Sequence, residues 1–134
     1  MDYVRYAYIA LLGWGLWAIG SKILSKHLNT ISITFWISFW SFIFLVLFII
    51  IFKKNLQGDH HSLYTLPVGF VSLIAVIAFY RALTTGPASV VIPLANLYVL
   101  FPVVYGFIIL KEPITLTRML GILFALIASI LLSR

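Results

Sequence analysis

The sequence contains no cysteine, which excludes disulfides, thiolate chemistry and cysteine-ligated metals. Acids are almost as scarce, with three in 134 residues: Asp2, Asp59 and Glu112. Each falls in a loop or at the edge of an apolar run, so a general acid/base pair is hard to assemble within the apolar body. No G-x-S-x-G elbow, H-E-x-x-H pair or glycine-rich phosphate loop is present. These absences argue against an enzyme, and nothing calls for a cofactor. Asp59, His60 and His61 offer two or three ligands in a polar loop, too few to close a metal site. His27 reads as another loop residue. No metal is expected.

Charge of either sign is also sparse. Charged residues make up 9% of the chain, where a soluble domain carries about a quarter. With 63% hydrophobic residues and a mean hydropathy of +1.16, the polar residues cannot cover a water-facing surface. Lipid is therefore the solvent for most of the chain, and the composition describes an all-α, multi-pass integral membrane protein. The net charge of +6 does not point to nucleic acid. The nine Lys and Arg occur singly or as one pair and form no basic stripe.

What is present is a series of apolar runs. They predict spanning helices over about 6–25, 32–52, 66–85, 88–110 and 116–133, joined by short connections in one domain covering 1–134. The first has neither a preceding cationic stretch nor an A-x-A pattern after it, so it is not expected to be a secretory signal. The second lacks glycine, alanine and charge, and reads as a lipid-facing wall. The third carries Gly69, Ser72, Ala75, Ala78 and Ala82 at helical spacing. The fifth carries Gly121, Ala125 and Ser129 at strict i, i+4 spacing. Such stripes let helix backbones approach closely.

The stretch from Tyr80 to Pro113 is the unusual one. Gly86-Pro87 signals a hairpin, Pro93 and Pro102 interrupt the following apolar run, and Asn96 lies between them. Each proline removes a backbone donor and frees the carbonyl four residues earlier, at Ser89 and Tyr98. Lys111, Glu112 and Pro113 close the run, and Glu112 reads there as a boundary marker.

An odd number of spans puts the termini on opposite sides of the membrane. Arg5, Lys53, Lys54, Lys111 and Arg118 then share one side, and Lys22, Lys26, Arg81 and Arg134 the other. Five against four leaves the orientation open. Discounting Lys22 and Arg81 as embedded gives five against two and favours an inside N-terminus.

The string ALTTGPASVVIPLANLYVLFPVVYGFIILKEPIT, followed by LGILFALIASILLS, resembles the last two helices of an EamA repeat of the drug/metabolite transporter superfamily. GWGLWAIGSK in the first run is similar to the W-G…K signature of that repeat's first helix. The resemblance implies a five-helix EamA-like repeat in the plasma (inner) membrane. Most relatives carry two such repeats in inverted orientation, with the substrate between them near mid-membrane. One repeat then implies a half-size transporter completed by pairing. The partner is a second copy, antiparallel or parallel, or another half-size subunit, and the near-balanced cations suit the antiparallel form. Two departures stand out. Relatives have Gly-Glu where this chain has Lys111-Glu112, and the first run lacks the carboxylate that couples protons in small four-helix relatives.

The resemblance selects Pro93, Asn96 and Pro102 as the substrate-facing segment of an alternating-access carrier. Trp14, Trp17, Tyr80 and Tyr98 either line that pathway or pack in the core. Lys22 and Arg81, near ends that fall on the same side, are candidates for an anion, though snorkelling accounts for both. Gly121, Ala125 and Ser129 are the expected dimer seam. The substrate is expected to be a small amphipathic metabolite or drug-like compound, neutral or anionic. The alternatives are a non-transporting membrane subunit or assembly partner, and a lipid translocator.

Overall fold

In lipid every backbone N–H must find its acceptor within the chain, so apolar runs of this length become helices. The computed structural model describes residues 2–113 and 115–132, and among them every regular element is helical. The six α-helices are α1 (Asp2–Leu24), α2 (Thr30–Ile51), α3 (Thr65–Thr85), α4 (Ala88–Ala95), α5 (Leu100–Ile108) and α6 (Leu116–Leu132). Two short 3-10 helices, His60–Tyr64 and Asn96–Val99, lie before α3 and between α4 and α5.

Tyr3–Leu24, Thr30–Ile51, His60–Thr85 and Ala88–Ile108 are each long and apolar enough to cross a membrane. The fifth expected span is shorter as described: α6 has 17 residues, roughly 25 Å of helix. Its expected last residue, Ser133, and the cation Arg134 lie outside the described residues. Helix α1 begins at Asp2 rather than near residue 6. The 3-10 helix at His60 was not legible in the sequence. Asp59 caps it, with Oδ1 accepting from the His61 N–H at 3.0 Å while the Ser62 hydroxyl donates to the Asp59 carbonyl at 2.6 Å. Asp59 is thereby a helix cap beside the two histidines.

The chain forms two compact units, Met1–Thr85 and Gly86–Arg134. In the first, α3 packs against both α1 and α2. Its buried residues are Ala18 and Ser21 of α1, Ile33 and Thr34 of α2, and Tyr80 and Leu83 of α3. They come from the end of α1, the start of α2 and the end of α3, so the core sits at one end of this three-helix unit. Helix α2 begins on a side-chain cap, Asn29 Oδ1 accepting from the Ser32 N–H at 2.8 Å. Beyond its first turns its aromatic side chains are exposed, with Phe35 and Phe39 stacked at 6.0 Å. The small residues Gly69, Ser72, Ala75 and Ala78 of α3 are uncovered within the chain.

Helix α2 ends on Lys53 with φ 47°, and the Lys54 N–H returns to the Ile49 carbonyl at 3.1 Å. This six-to-one bond with a left-handed residue before it is a Schellman termination, normally built on glycine. In the second unit α6 packs against α4 and the 3-10 turn at Asn96–Val99.

Candidate functional site

The site in the second unit starts from its two prolines. Without an N–H on Pro93 or Pro102 the expected run cannot continue as one regular helix. The break falls between them: α4 stops at Ala95, four residues wind as a 3-10 turn, and α5 resumes at Leu100. The Leu100 N–H closes that turn on the Leu97 carbonyl. A tightened turn at a proline-interrupted point marks a hinge or a functional irregularity in a helix. It also holds Asn96 and Tyr98 at the break. The prolines position the segment, and Asn96 and Tyr98 line what it encloses.

Between α5 and α6 lies a cavity of about 640 Å³, within the range of small-molecule sites. One wall is the α5 face carrying Val103 and Phe107, with Val99 just before it. The opposite wall is the α6 face with Ile122 and Leu126. Gly121, Ala125 and Ser129 lie on the same wall, so the stripe expected as a seam borders the cavity. The polar groups are few: the Asn96 amide, the Tyr98 and Ser129 hydroxyls, and the Glu112 carboxylate. An apolar pocket with a handful of placed polar groups is the usual form of a ligand site.

Glu112 stands exposed at the end of the run, where a boundary marker was expected, and its carboxyl also borders the cavity. Lys111 is left-handed at φ 52°, and the Glu112 N–H returns to the Gly106 carbonyl at 3.0 Å. The carboxyl then lies over Gly106, at 3.4 Å from where a Cβ would stand. Gly106 is buried, and a Cβ there would meet the carboxyl at ordinary contact distance. The available signal was the Lys-Glu pair at a position where similar repeats carry Gly-Glu. A left-handed C-terminal residue favours glycine, and it is what re-aims the following acid.

The remaining candidates lie in the first unit, where the structure gathers some and leaves others apart. Lys22 Nζ donates to the Leu83 carbonyl at 2.7 Å. That carbonyl belongs to the last turn of α3, whose final carbonyls have no partner within the helix. The Ser25 hydroxyl donates to the Lys22 carbonyl at 2.8 Å and approaches Leu83 O at 3.3 Å. Thr84 and Thr85 hydroxyls meet the Arg81 carbonyl at 2.8 and 3.0 Å. The Lys22 ammonium therefore completes the negative end of α3, a use that snorkelling alone does not describe.

Trp17 stacks on Phe79 at 5.4 Å and leans on Tyr80 at 5.8 Å. Tyr80 is buried to 1%, with its phenol beside Ser21 and Trp17. The Ser21 hydroxyl is sealed from solvent without a well-formed hydrogen bond. Trp14 stands apart: it is 65% exposed, because the close approach of α1 to α3 stops at Trp17. Arg81 is exposed on α3 and does not share the Lys22 contact.

No solved structure matches the chain. An uncharacterized protein of Methanocaldococcus jannaschii is 36% identical over 70 residues, which is 52% of this chain and 51% of that one. The chain thus aligns with about half the length of that relative. The model of the EamA-like transporter family matches residues 3–134, nearly the whole sequence. With that match over nearly all of its length, the chain belongs to the EamA-like transporter family of the drug/metabolite transporter superfamily.

Proposed function

We propose that this chain is a small secondary carrier that moves an amphipathic small molecule across the plasma membrane by alternating access. It works as a pair of half-size repeats. The observation that carries the reading is the cavity between α5 and α6, built around a proline-enforced 3-10 turn that holds Asn96. Irregular backbone and a lone amide are costly at membrane depth and are tolerated where they line a cavity. A scaffold subunit has use for small-residue stripes and none for this break.

Pairing is supported by two features. The small residues of α3 are uncovered within the chain, and the cations of the two sides are nearly balanced. A second copy, inverted in the membrane, supplies the missing half of a two-repeat transporter. Binding favours one access state only through a difference in affinity for the two states, and the hinge at Asn96–Val99 is the element in which such states differ.

The test is tracer flux into liposomes that hold the pure protein. Asn96→Ala should abolish flux, while insertion and cross-linked dimer yield stay at the wild-type level. Flux that survives Asn96→Ala, together with tolerance of Pro93→Ala and Pro102→Ala, would leave the scaffold reading in its place. Single cysteines at each terminus, labelled from either side, read the pairing geometry directly because the chain has none of its own. Labelling of each terminus from both sides identifies the antiparallel pair.

A further inference from the structure

The cavity has a charge that runs against the chain. Overall the protein carries nine cations and three acids. The described lining of the cavity nevertheless includes no Lys or Arg and does include Glu112. The placement is built by the backbone. Left-handed Lys111 and the Glu112 N–H bond to the Gly106 carbonyl fold the carboxyl back over buried Gly106. The walls beside it are the apolar faces of Val103, Phe107, Ile122 and Leu126, and Asn96 and Ser129 are the other hydrogen-bonding groups. Glu112 itself is exposed at the rim of these walls, where a carboxylate attracts a cation, and more strongly as an arriving apolar body displaces water.

We infer that Glu112 is the specificity-determining residue of this cavity, and that the ligand is an organic ammonium ion with an apolar body. The ammonium meets Glu112, the body lies along α5 and α6, and any polar group at its other end reaches Asn96 or Ser129. The expectation of a neutral or anionic substrate leaned on Lys22 and Arg81 and on the lack of a carboxylate in the first helix; the Lys22 ammonium donates to the Leu83 carbonyl, and neither cation lines this cavity. The inference rests on the cavity being the carrier's substrate site.

Three probes share a phenylethyl-sized body and differ in charge: phenethylammonium, phenethyl alcohol and phenylacetate. Their binding to the full-length protein in lipid nanodiscs is measured by calorimetry at constant ionic strength. Phenethylammonium should bind about tenfold more tightly than the alcohol, and phenylacetate more weakly than either. In Glu112→Gln the preference for the ammonium over the alcohol should vanish, and an unfolding midpoint equal to that of the wild type shows that the variant is folded. Equal affinity of the wild type for all three probes would mean that a cation of the chain already neutralises Glu112, and would overturn the inference. An ammonium preference that survives Glu112→Gln overturns it too. If Glu112→Gln does not fold, the wild-type ranking decides alone. Charge-selective binding without flux in liposomes removes the carrier reading and leaves this inference standing. Flux of all three probes at equal rates, with equal affinities, does the reverse.

Discussion

The two units treat polar groups inside an apolar body in opposite ways. In the first, the cation at the end of α1 is answered by the chain itself: Lys22 caps the α3 carbonyl of Leu83 across 61 residues of sequence. In the second, Asn96 and Glu112 are presented to a cavity. A polar group that is satisfied internally holds helices together, whereas one aimed into a cavity is available to something that arrives from outside. The difference separates fold from function more sharply than residue type does, since a lysine in the lipid-embedded region would otherwise be the stronger functional candidate.

The comparison can be broken by experiment, beginning with the largest effect. Ala125→Leu fills the cavity and should eliminate tracer flux, the outcome also expected of Asn96→Ala, with the thermal midpoint in detergent little changed. A large drop in that midpoint instead would show that α6 packs tightly there and that the cavity is closed in the membrane. Next is Lys22→Met, which keeps the stem and removes the donor. It should cost about 1 kcal/mol, because the Leu83 carbonyl loses its closer donor and keeps the Ser25 hydroxyl at 3.3 Å, seen as a lower unfolding midpoint, while affinity for a cavity ligand stays within twofold. Loss of ligand binding with full stability would reverse the roles of the two units.

Lys111→Gly relieves a left-handed backbone and should stabilise by about 1 kcal/mol, provided the Glu112 turn is retained. Ser21→Ala removes a buried hydroxyl without a well-formed bond, so its effect should lie within about 0.5 kcal/mol of zero. A loss near that of Lys22→Met would place Ser21 in a hydrogen bond to Tyr80.

Much of this was legible in the sequence, and the reasons for the rest are physical. Apolar run lengths placed the long helices to within a few residues, because lipid leaves the backbone few alternatives. The prolines announced the break at Asn96, since the lost N–H is a local fact. The Lys22–Leu83 bond is a long-range contact between α1 and α3, which periodicity does not encode. The approach of the Glu112 carboxyl to Gly106 was not legible, because a single backbone angle, at Lys111, decides whether an acid at a helix end points away or back over the preceding turn. Trp14 and Trp17 are three residues apart and alike in composition, yet only Trp17 meets α3, because the helices part just beyond it.

The two left-handed lysines also bear on how the chain is inserted. Lys53 and Lys111 each occupy a position where glycine would be more comfortable, and the five-span order expected from the sequence would put both on the N-terminal side of the membrane. That side holds five cations against four. Replacing both lysines with glycine would relax two helix ends and leave three cations against four, which inverts the charge bias that directs insertion. In that expected order, the same two side chains strain these helix ends and weigh on the charge bias.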